Sequence, residues 1–272
     1  MTPSRAQGER RAEADRLGRD ACQVARPTGY AARSADPLHI LLFVLPLVAF
    51  YEATLFFSGI SGVQDTVAAH ELINRFLPAF GDFALYLPGI ALLGVLLVMK
   101  IVRGDAWRVR WTTIPMMVFE SLVWAIPLLV IAALLSGPAA VQVADGGVGE
   151  PGGLESISLM GRIALSIGAG LYEELLFRLL MVSAGAFVLR AVFRVGDTWA
   201  AGLAIVLAAM AFTFYHQVDG ETAQVVARRL VYFVAGCFLG LVFALRGFGI
   251  VVGAHVAYDL FVLVLLPGDQ GV

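Results

Sequence analysis

Long apolar runs alternate with short polar ones from Leu38 to the end of the chain. The first, Leu38–Phe57, carries Pro46 and Glu52; the second, Phe83–Val102, runs into Lys100, Arg103, Arg108 and Arg110. A third covers Ile114–Leu135 with Glu120 near its middle, and others cover Thr198–Tyr215, Val231–Leu245 and Ile250–Leu266. Most approach the ~20 residues a helix needs to cross bilayer hydrocarbon. The tract from Ile157 to Val195 is too long for one perpendicular crossing, so it is expected to tilt, break or project from the membrane. Residues 62–81, amphipathic and mildly acidic through Asp65 and Glu71, are expected to lie along the interface or partly re-enter. In lipid, helices satisfy every backbone group internally, so the pattern predicts an all-α polytopic bundle of about seven spans, with interfacial or broken helices.

Composition agrees with the pattern. The chain is 59% hydrophobic and 15% charged, against about 25% charge in soluble domains. A net charge of −2 gives no footing to a nucleic-acid partner; the expected surroundings are the lipid bilayer. Residues 1–37 form a polar, Arg-rich tail, expected to be disordered. They precede N-terminal spans at 38–136, a Gly-rich loop at 137–156, an apolar core at 157–266 and a short tail at 267–272. No signal peptide is visible, and the first span is expected to act as an uncleaved anchor. The basic tail and the 100–110 loop place the N-terminus in the cytoplasm, in a membrane expected to be the bacterial plasma membrane. Arg228 and Arg229 then fall on the outer side, against the rule. Cys22 sits in the tail and Cys237 in an apolar run, so a structural disulfide is not expected.

Against this background the stretch Leu171-Tyr-Glu-Glu-Leu-Leu-Phe-Arg178 is costly. Ionisable groups at bilayer depth cost at least ~2.5–3.5 kcal/mol each on insertion scales, so they are expected to be paired or functional. Glu174 and Arg178 are four apart, in the Glu-before-Arg order that favours an ion pair on one helix face. Glu173 points about 100° away and is left free to take a proton. A purely structural ion network fits these three residues equally well. Two of the four histidines lie downstream: His216 ends Phe212-x-x-x-His216, and His255 opens His255-x-x-x-Asp259, whose ends share a helix face.

In that order, Glu173-Glu174-x-x-x-Arg178, Phe212-x-x-x-His216 and His255-x-x-x-Asp259 resemble the CPBP intramembrane proteases, which include the type II CAAX prenyl endopeptidases. The resemblance covers residues 157–266 and implies hydrolysis of a peptide bond in a membrane-associated protein or peptide. It implies that Glu173 and His216 activate water, that His255 and Asp259 assist the oxyanion, and that Glu174 and Arg178 support Glu173. One departure stands out: the prenyl-endopeptidase members carry Asn where this chain has Asp259. An ionised carboxylate cannot donate to an oxyanion, so Asp259 must be protonated, orient His255 or ligate a metal.

The implied chemistry is metal-free, with no cofactor. A zinc-dependent protease using Glu173, His216 and His255 is the alternative, since two His and a carboxylate can bind Zn2+ with one position open. A proton-coupled transporter would also place Glu, His, Asp and Arg within the membrane, and a non-catalytic immunity-type protein could retain the scaffold. Simple alternation of full spans sets His216 and His255 about 10–20 Å apart in depth, so one shared site requires offset, tilted or broken helices. The Gly-rich stretches 168–170 and 247–253 permit such a break. Glu52 and Glu120 are expected to make interhelical hydrogen bonds or line an aqueous cavity, and Tyr172, Phe177, Phe214 and Tyr258 to be packing residues.

Overall fold

The computed structural model describes residues 29–61, 86–104, 106–136, 158–216, 218 and 222–265. The tail up to residue 28, the amphipathic 62–81 segment, the Gly-rich loop and the tail from 267 lie outside the described residues. The chain forms two compact units, residues 1–33 and 34–272. Described residues of the first open a short helix, α1 (Tyr30–Ser34).

The second unit continues with α2 (Pro37–Ser61), α3 (Leu87–Arg103) and α4 (Thr113–Ser136). A continuous helical run follows: α5 (Leu159–Glu173), a π-helical segment (Glu174–Val182) and α6 (Ser183–Ala191). Then come α7 (Asp197–Tyr215), α8 (Thr222–Arg246) and α9 (Phe248–Leu260), the last ending in a π turn at Phe261–Leu265. No strand occurs among the described residues. Among the described residues, five helical stretches are long and apolar enough to cross a membrane: Pro37–Phe57, Thr113–Leu135, Asp197–Tyr215, Val225–Arg246 and Phe248–Leu265. Large exposed apolar side chains such as Phe56, Phe119, Leu134 and Leu207 cover their outer faces, as a lipid-facing bundle requires. This is a multi-pass membrane protein.

Local sequence accounts for the element ends. Pro88 opens α3, where its missing N–H costs nothing. Gly104 closes α3 in the left-handed region at φ 63°, its N–H bonding Ile101 O at 3.1 Å. Ser158 caps α5 by accepting from Gly161 N at 3.1 Å. The α2 and α3 ends are tied by Lys100 Nζ donating to Asp36 Oδ1 at 2.8 Å. His39 accepts the Arg110 N–H on Nε2 at 3.2 Å, so its Nδ1–H donates to Asp36 at 3.1 Å. Burial pushes the Asp36 carboxyl up, but the bonds from Lys100 and His39 outweigh it and hold the group below its ordinary value. The tie therefore persists at neutral pH and is lost as acid protonates the carboxylate.

Two expectations change. The last-but-one span begins at Val225 rather than Val231, in a helix that starts at Thr222, so Arg228 and Arg229 lie inside α8. Long cationic side chains can reach outward from such a turn while their stems stay apolar. The 159–191 run does change helix type, but the wide turns begin at Glu174, and residues 168–170 remain α-helical.

The glycines serve close packing instead. A Cβ on Gly170 would lie 2.9 Å from Val256 N and 3.2 Å from Val256 Cα, so α5 and α9 approach backbone to backbone. Gly249 faces Met117 and Ile40, and Gly253 faces Ser121 and Phe43. Helix α9 is thereby the centre of the bundle: 61% of its span is buried, against 22–33% for the other four. At Gly247, φ 84° lets the chain reverse between α8 and α9. Gly170→Val is expected to destabilise the bundle by about 1–3 kcal/mol, read as a lower thermal midpoint of the detergent-solubilised protein.

Candidate active site

Glu173 is the last residue of α5 and Glu174 the first of the π segment, which also carries Arg178. All three side chains are buried. The wide i→i+5 turns, rare in proteins and concentrated at functional sites, begin between the two glutamates. Glu174 Oε1 accepts from His255 Nδ1 at 2.7 Å and lies 3.0 Å from Arg178 Nη1. That Arg178 nitrogen has no well-directed hydrogen bond, so its hold on Glu174 is coulombic. Arg178 Nη2 also reaches the Gly236 carbonyl of α8 at 3.5 Å, and its guanidinium lies 4.6 Å from the centroid of the Phe212 ring. The expected Glu174–Arg178 pair is present.

His216 sits just beyond the end of α7 in extended conformation, φ −76° and ψ 119°. Its Nδ1 is 2.8 Å from the Phe212 carbonyl, an acceptor only, so Nδ1 carries the hydrogen and a neutral ring keeps its lone pair on Nε2. That Nε2 lies 3.9 Å from Glu173 Oε1. Tyr232 stacks on the imidazole at 4.1 Å and 18°, while Phe212 and Tyr215 meet it edge-on.

His255 and Asp259 lie on one face of α9, both buried. Since Nδ1–H of His255 is given to Glu174, its Nε2 is the outward nitrogen. It stands 3.8 Å from Glu173 Oε2 and 3.5 Å from Asp259 Oδ2. The six predicted residues thus meet in one cluster, with Glu173 between two imidazoles carried by different helices. The depth problem disappears because the 19-residue α7 retraces about the length of the run from Glu173 to the turn at 192–196. That return brings His216 level with Glu173.

Among the described residues no group of three or more His, Cys, Asp or Glu is arranged to hold a metal ion. Glu173, His216 and His255 come nearest. Their 3.8–3.9 Å oxygen–nitrogen gaps exceed the roughly 3.3 Å spacing of tetrahedral ligands at zinc bond lengths.

The residues that sequence reasoning missed are partners rather than reactants. Tyr232 fixes the His216 ring, and the Gly236 carbonyl helps hold Arg178. Neither stands out in an apolar helix. Phe177 packs edge-on to Phe212 and Tyr215, as a packing residue should, and Phe214 is exposed. Glu52 accepts from Tyr172 Oη at 2.7 Å; Glu120 binds Arg246 through two contacts, Nη2–Oε2 at 2.9 Å and Nε–Oε1, and accepts from Trp124. Both acids make the expected interhelical bonds.

The Arg178 side chain is expected to be required for stability. Arg178→Ala strands a buried carboxylate at a cost of about 3–5 kcal/mol, read as loss of folded protein. The double change Glu174→Gln with Arg178→Met is expected to recover much of it.

The chain matches no curated protein and no solved structure. The segment bearing all six residues, 155–261, matches the family model described as type II CAAX prenyl endopeptidase Rce1-like, the group that its motifs resemble.

Proposed function

We propose that the chain is a glutamate-dependent intramembrane endopeptidase acting on a membrane-associated protein or peptide, in the bacterial plasma membrane with its N-terminus in the cytoplasm. The observation carrying this reading is the approach of both Glu173 oxygens to imidazole nitrogens on separate elements, at 3.9 and 3.8 Å. The 3.9 Å gap to His216 is too long for a direct hydrogen bond and suits one bridging water. Both flanking atoms, a carboxylate oxygen and the His216 Nε2 lone pair, are acceptors, so such a water gives each a hydrogen and turns its own lone pair outward.

In the proposed step the water oxygen attacks the scissile carbonyl carbon as its proton passes to Glu173. The carbonyl π electrons become an oxyanion, received by the Nε2–H of a protonated His255. Collapse breaks the C–N bond, and the Glu173 proton leaves with the amine. General-base assistance of this kind is worth about 10²–10⁴-fold. Glu174 and Arg178 act as positioning residues. Asp259 shares the His255 nitrogen: as a carboxylate it competes with the oxyanion for that hydrogen, and as an acid it donates a second.

Comparing the membrane and secreted peptidomes of deletion, Glu173→Ala and parent strains tests the reading. Proteins left uncleaved in both mutants are expected; an unchanged peptidome overturns it and returns the transporter and immunity-type alternatives. With a substrate in hand, Glu173→Gln, His216→Ala and His255→Ala are each expected to lose at least about a hundredfold in cleavage while inserting normally. Near-normal turnover of Glu173→Gln removes the base assignment. One essential Zn2+ per active chain, read by elemental analysis, replaces it with the metal mechanism. Asp259→Asn, which donates at any pH, is expected to remain active.

A further inference from the structure

Glu52 lies in α2, outside the matched segment, yet its carboxylate reaches the residue preceding the proposed base. Tyr172 Oη donates to Glu52 Oε1 at 2.7 Å. Tyr172 is fully buried, and its ring meets Tyr51 edge-on at 5.1 Å. The carboxyl packs against Gly89 of α3, where a Cβ would collide with it and also lie 3.2 Å from Tyr172 Oη. Three helices, α2, α3 and α5, therefore enclose this one bond. Glu52 has no cationic partner among its described contacts.

We infer that Glu52, through Tyr172, is a positioning residue that sets the rotation of α5 where α-helical turns give way to π turns, and so aims Glu173 at His216 and His255. The inference rests on the protease reading for its consequence, not for its geometry. Adjacent residues on a helix point about 100° apart, so pinning the Tyr172 side chain on the α2 side fixes the direction left to Glu173. The pin is placed where it has most leverage. Beyond Glu173 the hydrogen-bond pattern changes from i→i+4 to i→i+5, and the start of the wide turn determines which atoms face the imidazoles. The directional bond to Glu52 fixes where the Tyr172 hydroxyl sits. A misplacement of about 1 Å at a reacting group can cost on the order of a hundredfold in rate.

The test uses the full chain in lipid nanodiscs and two readouts. In Tyr172→Phe, which keeps the ring and removes only the hydroxyl, amide exchange across 174–182 is expected to quicken several-fold, with the rest of the bundle protected as before. This readout does not depend on the protein being a protease. Against the membrane protein that accumulates uncleaved in Glu173→Ala cells, Tyr172→Phe and Glu52→Leu are each expected to lower kcat about tenfold or more, with KM within about twofold. Their combination is expected to be no worse than either alone. Glu52→Gln, which keeps a carbonyl acceptor, is expected to recover most of the loss. Parent-like exchange at 174–182 in Tyr172→Phe, a loss carried by KM, or multiplicative effects in the double variant overturns the inference. Parent-like cleavage by Glu173→Ala overturns the protease reading instead and leaves the exchange result to judge the tie.

Discussion

Disposal of the Glu174 charge governs the site. This side chain has no solvent exposure, and an uncompensated carboxylate in apolar surroundings is among the costliest things a fold can hold. One oxygen accepts from His255 on α9 and faces Arg178 on its own helix. Arg178 in turn reaches the Gly236 carbonyl on α8 and lies over Phe212 on α7. A single buried ion pair thus fixes the mutual placement of four elements. Such pairs rarely add net stability over an apolar replacement, so the reason for keeping one here is geometric. With Glu174 held by His255 and Arg178, Glu173 is the carboxylate left facing the two imidazole Nε2 atoms.

That arrangement is possible only because α9 can enter the middle of the bundle. With no hydrophobic drive between helices in lipid, close backbone approach and polar contacts must hold them. Gly170 lets α5 close on Val256, one residue after His255, while Gly249 and Gly253 let α4 close on the other side. Ser121 Oγ donates to the Ile250 carbonyl at 3.4 Å across the same seam. A Cβ at Gly170 meets the Val256 backbone and one at Gly253 meets Ser121 Cβ, so a methyl group at either displaces the helix that carries His255 and Asp259.

Much of this was legible from residue order alone. Most apolar runs located their helices to within a few residues, though α8 begins nine residues before the run at Val231, and the charges inside them located the cluster, because lipid makes both signals expensive to counterfeit. The membership of the cluster was legible too: Glu173, Glu174, Arg178, His216, His255 and Asp259 do meet. Their meeting point was not. Alternation of full spans set His216 and His255 apart, since nothing in the sequence announces that α7 starts from a turn only five residues after α6 and returns just far enough to reach Glu173. The π segment was equally hidden, as Leu175, Leu176, Leu179 and Leu180 are ordinary helix residues. The Gly-rich stretch 168–170 permits a break, yet it stays α-helical and Gly170 is a contact surface, a distinction a single sequence does not carry. Tyr232 was invisible for the same reason, because stacking on His216 depends on the pairing of α7 with α8.

The first half of the chain, which lies outside the matched segment, has a definite relation to the site. Its two acids within spans are both spent on the second half. Glu120 grips Arg246 at the end of α8, immediately before the Gly247 reversal that launches α9 toward His255. Glu52 grips Tyr172, immediately before Glu173. Each acid therefore holds the element leading into a motif, and neither touches the motif itself. A carboxylate at membrane depth is costly unless paired, and these two, both partly buried, lie at the two entrances to one cluster. The matched segment carries the clustered ionisable groups, and the N-terminal helices are bonded to the residues that lead into them.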